Sequence, residues 1–354
     1  MSLSSFLSED FESVAGRYDF GGLRNSSVLV TGASGLIGIQ LILFLDYLNQ
    51  NKDYGIKIHA LCRSEEKARR VFQDSCSRIH CVFGDVLNPP PVTDPLDYII
   101  HGASFTSSLD FVGKAVETID TAVNGTLNML RLAKDKAVRS FLYLSSMEVF
   151  GITDGGKEVK EEDLGYIDIL SPRSSYPESK RMCECLCACC AAEYGIPAKI
   201  VRLTQTLGPG IAYGDTRCTA QFARAAIEGH DIVLKTAGAT KRPALYTADA
   251  VSAILTVLLK GKDARAYTAA NPDTFVTIKE TAGMVAQDIA GGRIRVVHDI
   301  NGVPAEYAQN LKLNLDLNID KISALGWRPA VGLKEAYSRM IRWMELERKE
   351  RGES

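Results

Sequence analysis

The sequence predicts an α/β protein in which helices cover both faces of a doubly wound parallel sheet, followed by a smaller C-terminal α/β lobe. Short apolar runs alternate with longer segments of helical periodicity, which is typical of such a sheet. Beyond Gly208 this alternation is less regular and is interrupted by Pro and Gly. We therefore expect an N-terminal extension over residues 1–25, a sheet domain over 26–205, and a second lobe over 206–354 that partly returns to the sheet.

Six apolar runs are the predicted strands, because they are rich in aliphatic, β-branched and aromatic residues. In chain order they are SVLVTG (27–32), KIHALC (57–62), IHCVFG (79–84), DYIIHGA (97–103), SFLYLSS (140–146) and KIVRLTQ (199–205). Helices are predicted between them, because the intervening segments keep apolar residues at helical spacing. These segments include LIGIQLILFLDYLNQ, VETIDTAVNGTLNMLRLAK and the cysteine-rich stretch after Tyr176.

The composition is that of a globular chain with a large core. Of 354 residues, 46% are hydrophobic and 24% are charged, with a net charge of −2 and no block of like charges. We therefore expect small-molecule partners, and neither nucleic acid nor membrane. The acidic N-terminus and the absence of an apolar run of about 18 residues predict a cytoplasmic location. Nine cysteines without disulfide spacing agree with a reducing compartment.

The first apolar run leads directly into TGASGLIG, a glycine-rich turn before a helix. Glycine allows the sharp turn and a close approach of the backbone to a pyrophosphate, which the free N–H groups of the helix N-terminus then bind. The alternative is an ordinary strand-to-helix turn, but the position after a strand favours a Rossmann-type dinucleotide site. The residues assigned to the cofactor here are Gly32, Ser34, Gly35, Leu36, Ile37 and Gly38.

Two further strand ends are expected to contact the adenosine half of the cofactor. The second run ends at Cys62 and Arg63, where an acid selects NAD and a cation pairs with the extra phosphate of NADP. Arg63 leaves both cofactors open, because it can also be a solvated surface charge. After the third run, Asp85 and Val86 are assigned to the adenine, with turn capping as the alternative role of Asp85.

Tyr176 and Lys180 are the candidate proton-transfer pair, because a spacing of four residues places both on one helix face. The reference pKa of a phenol is about 10, and a nearby ammonium and cofactor cation favour the phenolate. Ser146, at the end of the fifth run in LSSMEVFG, supplies a neighbouring hydroxyl. The order of glycine turn, serine-ended strand and Tyr-x-x-x-Lys predicts catalysis at a nicotinamide rather than an exposed helix pair.

Together these motifs resemble those of extended short-chain dehydrogenases/reductases of the NAD-dependent epimerase/dehydratase family. The likeness covers residues 27–343 and includes TGASGLIG, HGAS, NGTLNML, LSSMEVFG, YPESK, LGPG, RPALYTAD and ALGWRP. Stretches such as HGASFTSS and PRSSYPESKR look most like those of UDP-glucuronate decarboxylases. The resemblance implies Ser146, Tyr176 and Lys180 as catalytic residues, Ala103 beside the cofactor, and a homodimer paired through the CLCACCAA helix.

The resemblance also implies a nucleotide-sugar substrate that is oxidised transiently at its 4-position and then dehydrated, decarboxylated or epimerised. Glu148 is expected to face the same pocket as Ser146, because side chains alternate along an extended strand. As a carboxylate it would be the base or charge needed for dehydration or decarboxylation; a solvated strand-end glutamate is the alternative. The residues assigned to the substrate are Ser104, Ser107, Gln205, Arg217 and Arg242.

Several functions stay open from the sequence. The first is nucleotide-sugar modification with a retained cofactor, and the second is an NADPH-dependent carbonyl reductase, which Arg63 would suit. The third, a non-catalytic dinucleotide sensor, is disfavoured by the intact Ser, Tyr and Lys set. Met147, Ala122 and Gln205 differ from the polar residues of the family pattern, so the substrate class is open too.

The five cysteines of the helix after Tyr176 are expected to pack rather than to bind a metal. On a helix only some of them share a face, so the five cannot converge on one tetrahedral ion. Small apolar packing is the simpler role of a free cysteine. No metal site is expected. The predicted inward face carries Cys183, Cys187 and Cys190, whereas Cys185 and Cys189 lie elsewhere.

Overall fold

Seven parallel strands form the central sheet of the computed structural model, which describes residues 2–153, 156–299 and 314–350. They are β1 (Ser27–Thr31), β2 (Lys57–Cys62), β3 (His80–Phe83), β4 (Tyr98–His101), β5 (Ser140–Ser146), β6 (Ala198–Leu203) and β11 (Ala266–Ala269). Their spatial order is β11-β6-β5-β4-β1-β2-β3. The predicted fold class is confirmed, and the six predicted strands agree with the observed ones to within two residues at each end.

The chain order reverses beside β1, because β1 pairs with β2 on one side and with β4 on the other. In open sheets of this kind, ligands bind beyond the carboxyl ends of the strands at such a reversal. The residues that follow β1, β4 and β5 therefore meet at one edge of the sheet.

Helices cover both faces of the sheet, as alternate residues of β1 show. Val28 and Val30 belong to a core with α3 and α9, while Leu29 points to the opposite core with α6 and α7. The helices are α1 (Leu3–Phe6), α2 (Ser8–Arg17), α3 (Leu36–Lys52), α4 (Glu65–Phe72), α5 (Ser108–Gly113), α6 (Ala115–Asp135), α7 (Ser175–Tyr194), α8 (Cys218–Glu228), α9 (Thr247–Lys260), α10 (Ile278–Met284), α11 (Asp320–Ser323) and α12 (Leu333–Glu350).

The remaining strands form small two-stranded sheets in the C-terminal part of the chain. β7 (Gln205–Leu207) pairs with β10 (Ala244–Tyr246), and β8 (Ile232–Leu234) pairs with β13 (Val296–His298), both in parallel. β9 (Lys241–Arg242) pairs with β12 (Val276–Thr277) in antiparallel fashion. β11 pairs with β6, so this part of the chain also contributes to the central sheet. The domain boundary between residues 205 and 206 stays a prediction.

The N-terminal residues pack on the body of the protein. Phe11 is buried against Phe44 of α3, and the carboxylate of Asp10 accepts a hydrogen bond of 2.5 Å from the hydroxyl of Tyr246. Asp10 also forms an ion pair with Arg339 of α12. The predicted extension thus links the two ends of the described chain.

Candidate active site

The turn between β1 and α3 leaves no room for side chains at two of its glycines. A Cβ on Gly32, whose φ is +68°, would lie 2.8 Å from the carbonyl oxygen of Gly102. A Cβ on Gly38 would lie 2.2 Å from the carbonyl oxygen of Gly32. The first N–H groups of α3, including those of Leu36 and Ile37, have no acceptor within the helix. This exposed helix start fits a dinucleotide pyrophosphate.

The residues expected around the adenosine have varied surroundings. Arg63 follows β2 directly and is exposed, whereas Ser34 hydrogen-bonds the buried Cys62 at the end of that strand. A carboxylate oxygen of Asp85 accepts from the N–H of Leu87 at 2.9 Å, so its alternative role in turn capping is present. The buried Val86 packs on α6 at Gly125, where a Cβ would lie 2.7 Å from Val86 Cγ2. The assignment of Ser34, Arg63, Asp85 and Val86 to the cofactor stays a prediction.

The segment after β4 is held against the glycine turn. The N–H of Ala103 donates to the hydroxyl of Thr31 at 3.2 Å, at the end of β1. Ser104 follows, and its hydroxyl is buried without a hydrogen-bond partner among the described residues. Burying a polar atom without a hydrogen-bond partner costs free energy of folding. The Ser104 hydroxyl, which follows the segment held against the glycine turn, would gain a partner from a ligand bound there.

The end of β5 and the start of α7 bring together Ser146, Tyr176 and Lys180. A hydrogen bond links Ser146 to Tyr176. Lys180 is buried, its Nζ donates to the carbonyl of Leu144 at 2.8 Å, and the same Nζ lies 5.6 Å from the ring centre of Tyr176. Strand β5 therefore holds the ammonium beside the phenol, and the predicted constellation is assembled.

The surroundings of Tyr176 raise the pKa of its phenol, whereas the sequence predicts a lower pKa. Burial raises the pKa of Tyr176 and the carboxylate of Glu148 raises it further, while Ser146 and Arg173 lower it. Burial also lowers the pKa of Lys180 to about 8. The phenol is thus protonated at neutral pH, and a proton-accepting role would require a nearby cation, such as an oxidised nicotinamide, to favour the phenolate.

Glu148 reaches the site from a turn and not from a strand. Residues Met147–Phe150 form a 3₁₀ turn, so the argument from strand alternation is wrong. The hydroxyl of Ser146 caps this turn by accepting from the N–H of Glu148 at 3.2 Å. The turn still brings the Glu148 carboxylate close enough to Tyr176 to raise its pKa. Glu148 thus lies near Ser146 and Tyr176 as predicted, but a 3₁₀ turn and not strand alternation places it there.

Arg173 is a site residue that the sequence reasoning missed. Its guanidinium pairs with the carboxylate of Glu148 at 2.9 Å and lies 4.9 Å from the ring centre of Phe111. That ring is stacked on Tyr176, with centres 4.2 Å apart. Nη1 of Arg173 is buried without a hydrogen-bond partner among the described residues. The one available signal was a basic residue three positions before Tyr176 in PRSSY.

Of the residues assigned to the substrate, Gln205 and Arg242 line the same pocket. Tyr337 lines it too, and both Arg242 Nε and the Tyr337 hydroxyl are buried without partners among the described residues. Arg217 is engaged elsewhere, because its guanidinium binds the carboxylate of Asp215 at 2.5 Å. Ser107 immediately precedes α5. Substrate contacts by these residues stay predictions.

The cysteines of α7 divide as predicted. Cys183, Cys187 and Cys190 are buried in the core beneath α6 and α7, whereas Cys185 and Cys189 are exposed. The Sγ atom of Cys183 lies 3.1 Å from the carbonyl oxygen of Ala122 on α6. Packing between the two helices therefore accounts for the buried three.

Comparison with known proteins identifies the family. Residues 28–271 match the model of the NAD dependent epimerase/dehydratase family. The chain belongs to this family. NAD is the cofactor that the family description names, which favours NAD over NADP despite Arg63.

The similar curated proteins are UDP-glucuronic acid decarboxylases. Decarboxylase 1 of Arabidopsis thaliana is 30% identical over 341 residues, which is 96% of this chain and 75% of that protein. Decarboxylase 1 of Xenopus tropicalis is 27% identical over 258 residues, which is 73% of this chain. The alignment spans only 59% of the length of the Xenopus protein, and 59% of the length of its Danio rerio relative.

Solved structures of similar fold agree with the observed architecture. The dTDP-glucose 4,6-dehydratase DesIV from Streptomyces venezuelae, with NAD and TYD bound, matches with a TM-score of 0.74 at 23% identity, covering 91% of this chain and 98% of that one. UDP-glucuronic acid 4-epimerase from Bacillus cereus, in complex with NAD, matches with a TM-score of 0.71 at 18% identity, covering 91% and 99%. Among the described residues, no helix is long and apolar enough to span a membrane.

Proposed function

We propose that this protein is an NAD-dependent enzyme that modifies a nucleotide sugar, and that its reaction is the decarboxylation of a sugar nucleotide bearing a uronic acid. The observation that carries the proposal is the half-buried guanidinium of Arg173 near Tyr176, whose Nη1 is buried and has no hydrogen-bond partner among the described residues. Such a group suits a substrate carboxylate, because a guanidinium binds carboxylates through paired N–H donors. The similarity to UDP-glucuronic acid decarboxylases supports the same substrate class.

The chain's own residues provide the proton transfers. The turn of Gly32, Gly35 and Gly38 would hold NAD, which would supply the acceptor and later the donor of the hydride at C4 of the sugar. Tyr176 takes the proton of the 4-hydroxyl, while Ser146 hydrogen-bonds Tyr176 and Lys180 holds a positive charge near its ring. The sugar carboxylate is then β to a ketone, so the carbon–carbon bond breaks and CO₂ leaves. Tyr176 returns its proton to the 4-oxygen when the hydride returns.

Glu148 and Arg173 would control the second half of the reaction. Arg173 holds the sugar carboxylate, and its pairing with Glu148 at 2.9 Å fixes the direction of the guanidinium. After loss of CO₂, the carbanion at C5 needs a proton. Solvent water would supply this proton, and Glu148, near Tyr176, is the carboxylate that would orient the water.

The direct test is incubation of the purified protein with NAD and UDP-glucuronic acid. We expect one CO₂ released per sugar and a UDP-pentose product, measured by mass spectrometry, with no change in UDP-glucose, which has no carboxylate. An Arg173→Gln variant should raise KM for UDP-glucuronic acid, and the exposed Arg131→Gln variant is the matched control. Conversion to a C4 epimer without CO₂, or consumption of NADPH with a simple carbonyl compound, would contradict the proposal.

We also propose that two copies of the chain form a homodimer through α6 and α7. Helices α6 and α7 pack against each other on one face of the sheet, and both carry exposed apolar side chains, of which Val116 is 77% exposed. Ile119 and Met182 extend this exposed apolar surface. A second copy presenting the same face would bury it by twofold symmetry.

Introducing charge into this surface should produce a monomer. A Val116→Glu and Met182→Glu double variant would place two unpaired charges in the buried interface, which opposes association. Sedimentation velocity should report a dimer for the unmodified protein and a monomer for the variant. A monomer already present in the unmodified protein at micromolar concentration would overturn the proposal.

A further inference from the structure

Two histidines lie side by side on β2 and on the neighbouring edge strand β3, away from the site described above. His59 of β2 and His80 of β3 are direct partners in the parallel register, so their side chains emerge on the same face. Their ring centres are 5.1 Å apart. Asp94, in the loop before β4, places a carboxylate oxygen 3.9 Å from Nε2 of His59. One potential ligand atom from each residue lies within 4.8 Å of the others.

His59 lacks the partners that a buried imidazole normally has. The residue is only 2% exposed, and neither ring nitrogen has a hydrogen-bond partner among the described residues. Buried polar groups in native proteins are almost always satisfied, so two unpaired ring nitrogens indicate a missing ligand. Both other members of the cluster, His80 and Asp94, are exposed and leave an open path to it.

We propose that His59, His80 and Asp94 bind a divalent transition-metal ion, with Zn²⁺ as the best match. Two imidazoles and one carboxylate form a borderline ligand set that suits Zn²⁺ and not Mg²⁺ or Ca²⁺, which prefer oxygen ligands. Ligands of a tetrahedral zinc site are about 3.3 Å apart, given Zn–N bonds of about 2.0 Å. The potential ligand atoms now lie within 4.8 Å of one another, so the exposed side chains of His80 and Asp94 need only small rotations toward the buried ring of His59 to reach about 3.3 Å. Water would fill the fourth position.

The position of the cluster suggests a structural role for the ion. His59 is three residues before the end of β2, and Asp94 lies shortly before Asp97, whose carboxylate accepts from the N–H of Ser27 at the amino end of β1. The cluster is therefore displaced from the carboxyl edge where the glycine turn and Tyr176 lie. A bound ion would tie the edge strand β3 and the loop before β4 to the buried strand β2.

The test is a metal titration of the full-length protein after removal of metals with a chelator. Exposed thiols compete for zinc, and the sulfurs of Cys185 and Cys189 are only 3.9 Å apart. The titrations therefore use a background in which both are serine. We expect one Zn²⁺ per chain by calorimetry and, with Co²⁺, the visible spectrum of a tetrahedral site without thiolate charge-transfer bands.

Single substitutions then locate the site. His80→Ala and Asp94→Asn alter exposed side chains and should weaken Zn²⁺ binding at least about 10-fold, whereas His298→Ala, another exposed histidine, should not. His59→Ala should abolish binding, and circular dichroism checks its fold. Zn²⁺ should also raise the melting temperature of the background protein and leave that of Asp94→Asn nearly unchanged. If His80→Ala and Asp94→Asn bind Zn²⁺ as tightly as the background protein does, or if the background protein binds no Zn²⁺ at micromolar concentration, the proposal is overturned.

Discussion

Tyr176→Phe should lower turnover by about 100-fold to 10,000-fold, because it removes the hydroxyl that exchanges a proton with the sugar in the proposed mechanism. The aromatic ring remains, so its stacking on Phe111 at 4.2 Å is kept and the fold should be unchanged. Steady-state rates with UDP-glucuronic acid and NAD give the size of the loss. The melting temperature shows whether stability contributes to it.

Tyr194→Phe is the matched control, since Tyr194 ends the same helix α7 and is exposed. It should keep full activity. The two variants should also differ when substrate is added in a single turnover. Reduced nicotinamide should form at the normal rate in Tyr194→Phe and only very slowly in Tyr176→Phe. Near-normal turnover in Tyr176→Phe would remove the basis for proton transfer at this site.

Glu148→Gln should stop the reaction at a later step. Losing a positioned acid–base group typically costs about 100-fold to 10,000-fold in rate, which we expect for overall turnover. The first oxidation should survive, because it depends on Tyr176 and Lys180. Removing the negative charge of Glu148 also lowers the pKa of Tyr176, which favours the phenolate. Reduced nicotinamide should therefore accumulate on addition of substrate, as measured by its near-ultraviolet absorbance.

The control for this variant is Glu117→Gln, which changes an exposed carboxylate on α6. Circular dichroism is needed for Glu148→Gln, because the substitution leaves Arg173 without its carboxylate partner. If Glu148→Gln turns over at the full rate without accumulating reduced nicotinamide, no second step depends on the Glu148 carboxylate. The reaction would then be a simple epimerisation.

The sequence alone determined those features that depend on short-range patterns. Strand alternation and helical spacing depend on neighbouring residues, so the strands and the buried face of Cys183, Cys187 and Cys190 follow from local periodicity. The glycine turn was also predicted locally, and the steric exclusion at Gly38 does arise within the turn, at the carbonyl oxygen of Gly32. The exclusion at Gly32 comes from Gly102, which follows β4 and is brought there by the sheet. Tyr176 and Lys180 share a face because of local helical spacing. The family resemblance then supplied the chemistry that these positions carry.

Only the tertiary structure decided which distant groups meet. Glu148 and Arg173 are separated by 25 residues, and their pairing depends on a 3₁₀ turn that strand periodicity did not predict. The pairing of His59 with His80 depends on the register between two strands, which is set by the whole sheet. The upward pKa shift of Tyr176 has the same origin. Burial and charge shift a pKa through space. The sequence pattern gives no distance between segments that are far apart along the chain.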